Sequence, residues 1–178
     1  MKLTAAGSVL LLVDLQQRLM PAIHDGDAVV ERARRLAEGA RLLDVPTRAT
    51  EQNPDGLGST VAQLAGFPQL VLPKTSFGAV DEPGFATLLP PGTREVVVAG
   101  CEAHVCVLQT VLGLLAEGER RVVLVVDAIG SRNPADREIA IGRARAHGAE
   151  VVTSEMVLFE WLSDSTHPRF RDVQKLIK

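Results

Sequence analysis

Short apolar runs alternate with amphipathic segments along the whole chain. The runs are rich in Val and Leu, and uninterrupted apolar stretches of this length are typical of strands buried on both faces of a sheet. Six strands are predicted: Ser8–Val13, Val45–Thr50, Gln69–Pro73, Val96–Ala99, Arg121–Val126 and Glu150–Thr153.

Between these strands, apolar residues recur every three or four positions, which predicts helices that each present one face to a core. The predicted helices are Asp27–Leu43, Ser59–Ala65, Pro83–Leu89, a segment with apolar positions from Val105 to Leu115, Pro134–His147, Ser154–Leu162 and Phe170–Ile177. Regular alternation of strand and helix indicates an α/β fold with a parallel sheet. We therefore predict one domain over residues 1–178, a three-layer α-β-α sandwich with six strands in the order 3-2-1-4-5-6.

Composition narrows the class of function. The chain has 178 residues, a net charge of −3 and a pI near 5.8. No basic run is present, so we expect no nucleic-acid partner. No apolar stretch is long enough to cross a bilayer, and we expect no membrane partner. Two cysteines without a scaffold spacing indicate a reducing, cytoplasmic setting.

Candidate chemistry follows the predicted strands. In parallel sheets, ligands bind beyond the carboxyl ends of the strands, where the strand order reverses. Asp14 follows the first strand, Gln52 the second and Lys74 the third, while the segment Glu102–Cys106 follows the fourth. An acid, an amine and a thiol are therefore expected at one edge of the sheet.

Cys106 falls in the first turns of the helix after the fourth strand. Free backbone N–H groups and the helix dipole at that end lower a thiol pKa, which predicts a reactive cysteine. The alternative is a small, buried and inert thiol, which is the common state of free cysteines.

Asp14 and Lys74 fit the two roles that a nucleophilic thiol needs. Asp14 can act as the base, and Lys74 can hold Asp14 ionised and stabilise the thiolate. The backbone N–H groups of Glu102 and Cys106 are candidates for an oxyanion hole. Alternatively, Asp14 is a turn cap and Lys74 a solvated loop residue, since turns collect polar side chains.

Other patterns near the fourth strand favour structural roles. Cys101, His104 and Cys106 lie too close along one turn to face a single zinc ion, and a fourth ligand is missing. The spacing of the two cysteines is not Cys-x-x-Cys, which weighs against redox exchange. We interpret His104 as a residue that is structural or lines the pocket, not as a general base.

The chain resembles the isochorismatase-like cysteine hydrolase superfamily, and within it the isochorismatase domain-containing proteins. Three motifs carry the resemblance: Val13-Asp-Leu-Gln16, Lys74-Thr-Ser-Phe77 and Gly100-Cys-Glu-Ala-His-Val-Cys106. Further similarity reaches Thr50–Gln52, Gly56–Gly58, Asp127–Arg132 and Thr153–Glu155, which together span nearly the whole chain.

The resemblance implies a six-stranded parallel sheet between helices and a catalytic triad of Asp14, Lys74 and Cys106. It also implies a cis peptide bond between Cys101 and Glu102, and an assembly of two or more copies. A substrate pocket is expected from six residues: Leu15, Gln52, Leu57, Phe77, His104 and Val105.

One departure from the family pattern narrows the reaction. Metal-binding relatives carry an acid and histidines after the second strand, whereas this chain has Gln52 there and no histidine between His24 and His104. We therefore expect no metal and no cofactor. The predicted function is hydrolysis of a C–N bond in a small amide through a thioester on Cys106. The alternatives are a non-catalytic binding module and a vinyl-ether hydrolase of the isochorismatase type.

Overall fold

A six-stranded, all-parallel sheet forms the centre of the molecule, as the computed structural model of residues Met1–Lys178 describes it. The strand order β3-β2-β1-β4-β5-β6 confirms the predicted topology. The strands are β1 Ser8–Val13, β2 Thr47–Gln52, β3 Leu70–Lys74, β4 Glu95–Cys101, β5 Arg121–Gly130 and β6 Glu150–Val152.

Helices cover both faces of the sheet. They are α1 Gly26–Leu42, α2 Pro54–Leu57, α3 Phe85–Leu88, α4 Leu108–Glu117, α5 Pro134–Ala146, α6 Ser154–Leu162 and α7 Phe170–Ile177. Single 3-10 turns lie at Ala5–Gly7, Met20–Ala22 and Ala79–Asp81, and a π-helical turn at Ala103–Val107 leads into α4. No helix is both long and apolar enough to cross a membrane.

Two apolar cores lie on either side of the sheet, because alternate residues of each buried strand face opposite ways. Leu10 and Leu12 of β1 pack against α1, α6 and α7, while Val9 and Leu11 pack against α3, α4 and α5. Every residue of β1 and β4 is buried. This arrangement is the predicted three-layer sandwich.

The helix predicted at Ser59–Ala65 is wrong. That segment consists of an isolated β-bridge and turns, and the only helical turn between β2 and β3 is α2. The backbone groups of the segment have other partners: the amide and hydroxyl of Thr60 both donate to Glu51 Oε1 at 2.7 Å, and the Val61 amide donates to the Leu15 carbonyl at 2.9 Å. These non-local bonds satisfy the groups that a helix would have used.

Strand β5 is longer than predicted and does not end at Asp127. Its pairing with β4 shifts register between Val98 and Gly100, so that Gly100 pairs with Ile129. The Asp127 carboxylate accepts bonds from the Ser154 amide and hydroxyl, at 2.7 and 2.6 Å, and thereby fixes the start of α6. A register shift of this kind extends one strand past its neighbour, and apolar patterning alone does not reveal it.

Candidate active site

The carboxyl ends of β1, β2, β3 and β4 bring the candidate residues to one edge of the sheet. Gly100 lets β1 and β4 approach closely there: a Cβ atom at this position would lie 2.0 Å from the Val13 carbonyl oxygen. Its φ of +136° also favours glycine. Asp14 therefore leaves β1 directly beside the turn that carries Cys106.

Asp14 is fully buried and has left-handed backbone geometry, with φ of 51°. Its Oδ1 accepts a hydrogen bond from the Thr50 hydroxyl at 2.7 Å. Its Oδ2 lies 2.8 Å from Lys74 Nζ in an ion pair and has no hydrogen-bond partner. The carboxylate is thus held by charge on one side and keeps an acceptor free.

Lys74 is the cation of this site, and its side chain has no exposure to solvent. Besides Asp14, its ammonium group contacts three oxygen atoms: Gln52 Oε1 at 2.6 Å, and the carbonyls of Ser76 and Phe77, both at 3.1 Å. An ammonium group has only three donors. Lys74 therefore has no donor to spare for a substrate, and its ammonium group lies against the carboxyl group of Asp14.

Gln52 links Lys74 to the thiol. Its Oε1 accepts from Lys74 and lies 4.0 Å from Cys106 Sγ, while its Nε2 donates to the Thr75 carbonyl at 2.8 Å. Gln16, fully buried, accepts from the Gln52 amide at 2.8 Å and donates to the Gln52 carbonyl at 3.0 Å. The sequence interpretation missed this role of Gln16, although the residue stands in the motif that begins at Val13.

Cys106 lies in the π-helical turn, not in the first α-helical turns as predicted. The amides of Val105 and Val107 both donate to the Glu102 carbonyl, at 3.1 and 3.2 Å, and they define this turn. Thr110 closes it, because its hydroxyl donates to the Cys106 carbonyl at 2.7 Å and accepts from the Ala79 amide at 3.0 Å.

The predicted lowering of the Cys106 pKa is wrong. Burial, and after it the Asp14 carboxylate, raise the pKa of the thiol to about 12, although Lys74 acts in the opposite direction. A negative neighbour and a low-dielectric surrounding both disfavour a thiolate. The resting Cys106 is therefore a neutral thiol at neutral pH.

Cys101 is separate from this chemistry. Its side chain lies in the core on the α1 side of the sheet, with no exposed surface. Burial raises the pKa of this thiol well above its ordinary value. The peptide bond between Cys101 and Glu102 is cis, at the position where the family resemblance implied one.

A second charged pair lies next to the π-helical turn. Glu102 Oε2 accepts from the amide and from Nε of Arg132, both at 3.0 Å. Burial alone would raise the pKa of Glu102, but these bonds outweigh it and hold the pKa below its ordinary value. His104 is also tied to this loop, because its Nδ1 lies 2.9 Å from Ser131 Oγ.

A cavity of about 110 Å³ opens onto the thiol. It is lined by Asp14, Leu19, Gln52, Leu57, Phe77, Glu102, Val105 and Cys106. Four of the six predicted pocket residues are among them. The other two are not: Leu15 is buried in the core, and the His104 ring bonds Ser131. Leu19 and Glu102 line the cavity without having been predicted to do so.

No group of three or more His, Cys, Asp or Glu side chains is arranged to hold a metal ion. At the end of β2, where metal-binding relatives have an acid, the Gln52 side chain bonds Lys74 and the Thr75 carbonyl.

Comparison with known proteins agrees with this geometry. The family model described as the isochorismatase domain matches residues 8–156. Isochorismatase domain-containing protein 1 of Danio rerio is 42% identical over 179 residues, a match that covers 99% of this chain and 62% of that relative. The chain thus spans less than two thirds of this relative's length.

Two solved structures share the fold over nearly the whole chain. The structure described as MAR1 ribonuclease from Caenorhabditis elegans is 38% identical, covers 99% of this chain and 92% of its own, and has a TM-score of 0.92. The YcaC gene product of Escherichia coli, described as an octameric hydrolase of unknown specificity, is 25% identical, with coverages of 99% and 94% and a TM-score of 0.84. From these matches and the shared topology, we conclude that the chain belongs to the isochorismatase family.

Proposed function

We propose that the protein is a cofactor-free cysteine hydrolase that cleaves a C–N bond of a small amide through a thioester on Cys106. One observation carries the proposal: a fully buried ion pair, Asp14–Lys74 at 2.8 Å, lies against a thiol that opens onto a cavity. Burying two charges costs several kcal/mol per ion before their attraction is counted. A cluster with a purely structural role could be built from apolar side chains and would not need a buried ion pair.

The first half of the reaction forms the thioester. Asp14 accepts the proton of the Cys106 thiol as sulfur attacks the amide carbon, and the carbonyl oxygen becomes an oxyanion. The backbone N–H groups of Glu102 and Cys106 remain our proposed donors to that oxyanion. The C–N bond then breaks, and the leaving amine takes the proton from Asp14.

The second half returns the enzyme to its resting state. A water molecule gives its proton to Asp14 and attacks the thioester carbon, the oxyanion forms again, and the C–S bond breaks. The sulfur recovers its proton from Asp14, and a carboxylic acid leaves. The sum is an amide and water in, an acid and an amine out. Lys74 offsets the repulsion between Asp14 and the thiolate.

The cavity restricts the substrate to a small molecule. Its volume of about 110 Å³ lies below the ~300–1,000 Å³ common for sites that hold drug-sized ligands. Together with the net charge of −3, this size argues against the nucleic-acid substrate that the name of the C. elegans neighbour implies.

A second candidate is a non-catalytic module that binds a small molecule in the same cavity. The observation in its favour is the raised pKa of Cys106, about 12, which makes the resting thiol a weak nucleophile. The two candidates differ in what happens to bound amide, so one experiment separates them.

The test is a screen of small aliphatic and aromatic amides for ammonia release, with wild type, Cys106→Ala and Cys106→Ser. We expect turnover by wild type only, and a mass increase equal to the acyl group when the reaction is quenched with acid. The matched control is Cys101→Ser, which alters the other thiol and should retain turnover. Full activity in Cys106→Ala would refute the proposal, and binding without turnover in wild type would favour the module.

A further inference from the structure

The cavity holds negative charge without a free positive group, and this combination bears on which substrates it admits. Of its eight lining residues, Asp14 and Glu102 are acids, and none is Lys, Arg or His. Lys74 lies behind the cavity, where four oxygen atoms already surround its ammonium group. A carboxylate on a substrate would find no cation to pair with here.

Glu102 is the acid that a substrate meets in addition to the base. Both bonds from Arg132 go to Oε2 of Glu102, and neither goes to Oε1. The Glu102 side chain is 10% exposed, whereas that of Arg132 is 64% exposed. Solvent screens the guanidinium more than the carboxylate, so the cavity experiences a net negative potential. The lowered pKa of Glu102 keeps this charge present at neutral pH.

We propose that Glu102 is a specificity residue that excludes substrates with a carboxylate near the scissile bond, so that the cavity admits uncharged small amides. Arg132 moderates this exclusion, because it neutralises part of the Glu102 charge. The inference rests on the proposed function for its physiological meaning. Its test needs no turnover, since it reads the access of charged and neutral reagents to the thiol.

The test compares two alkylating reagents that differ by one charge. Iodoacetamide and iodoacetate react alike: the thiolate sulfur forms a bond to carbon, and iodide leaves. Rates at Cys106 are followed by tandem mass spectrometry, which separates this residue from Cys101. The quantity of interest is the rate with iodoacetamide over the rate with iodoacetate, divided by the same ratio for glutathione. This normalised ratio cancels the intrinsic difference between the reagents.

We expect a normalised ratio of about ten or more in wild type, from one unit charge at close range. Glu102→Gln keeps the shape and an acceptor for Arg132, and it should lower the ratio about tenfold. Arg132→Gln should change the ratio in the opposite direction, to a higher value. Glu119→Gln is the matched control: it removes a 65% exposed acid at the opposite edge of the sheet and should leave the ratio unchanged.

A general loosening of the site would change both reagents together and leave the ratio alone, so opposite shifts in the two variants identify a charge effect. A wild-type ratio at or below one would overturn the inference, even if neither variant folds. A ratio unaffected by Glu102→Gln, or lowered by Arg132→Gln, would do the same. The proposed hydrolase activity stands or falls separately, on the amide screen.

Discussion

Three buried residues, Asp14, Lys74 and Cys106, form one coupled set of charges. Asp14 opposes the thiolate, Lys74 supports it, and burial opposes it more than either. The pKa of the thiol therefore depends on the other two groups as well as on its own burial. This arrangement favours a thiol that ionises only as it attacks, with Oδ2 of Asp14 as the acceptor.

The pH dependence of alkylation tests this state of the thiol. Because the pKa of Cys106 is raised to about 12, its thiolate fraction should rise about tenfold per pH unit across pH 7–10, without levelling at the ordinary value near 9. Iodoacetamide rates measured by mass spectrometry should follow this line. Cys101, with no exposed surface, should react more slowly throughout.

Two variants test the direction in which each neighbouring charge shifts the pKa of Cys106. Asp14→Asn removes the nearby negative charge, so the pKa of Cys106 should fall and the rate should level at a lower pH. Lys74→Met should raise the pKa and slow alkylation at every pH. A wild-type rate that levels below pH 9 would contradict the neutral resting thiol.

The buried ion pair also makes a prediction about stability. Lys74→Met leaves Asp14 as an unpaired buried carboxylate, which should lower the free energy of unfolding by about 3–5 kcal/mol. Asp14→Asn combined with Lys74→Met removes both charges. The double variant should lose less stability than the two single losses added together, as measured by urea unfolding. Additive losses would mean that the pair contributes nothing through its charge.

At the level of single residues, the sequence could predict which side chains meet but not their state. Asp14 and Lys74 each end an apolar run, and parallel pairing brings such ends together. The left-handed backbone of Asp14 and the acceptor role of Gln16 depend on contacts from other strands. The pKa of Cys106 was predicted in the wrong direction, because the prediction counted the helix end and omitted burial.

Among the elements, the turn between β4 and α4 matters most for the site. Its π-helical geometry adds a residue to the turn, and Thr110 fastens it to the segment that follows Lys74 through the Ala79 amide. The spacing of apolar residues in the sequence predicts a helix here. The same spacing does not show whether the first turn of that helix is π-helical or α-helical. The strands were easier to predict, since β1 after Ser8 and β4 after Glu95 consist of apolar residues that are buried on both faces.

Thr110→Val tests the contribution of this fastening. The variant keeps the shape of the side chain but leaves the buried Ala79 amide without an acceptor, which should cost about 1–3 kcal/mol of stability in urea unfolding. The control is Thr87→Val, whose exposed hydroxyl bonds only the Gly84 carbonyl and should matter little. Equal effects of the two substitutions would mean that the Thr110 hydroxyl does not stabilise the turn.

In the whole molecule, the strand order places β1 at the centre with β2 and β4 on either side. The site therefore draws on four strands, and long connections separate its parts along the chain. Sequence patterning predicted this order and the shared edge. It did not predict the connection at Ser59–Ala65, because bonds that Thr60 and Val61 donate to Glu51 and Leu15, outside the segment, determine its shape.

The exposed residues of α6 bear on whether copies of the chain assemble. Met156 and Phe159, three positions apart on α6, are 47% and 42% exposed and so lie on one face of the helix. We propose that α6 contributes to a contact between copies of the chain, and the octameric E. coli neighbour supports this proposal.

Light scattering at micromolar concentration should give a mass well above the 19.1 kDa of one chain. Met156→Asp with Phe159→Asp should reduce that mass, because two buried charges would oppose the contact. The matched control is Ile139→Asp on α5, a 70% exposed apolar residue on the opposite face of the sheet, and it should leave the mass unchanged. A wild-type protein that scatters as a single chain would refute the assembly, and an effect of Ile139→Asp alone would move the contact to α5.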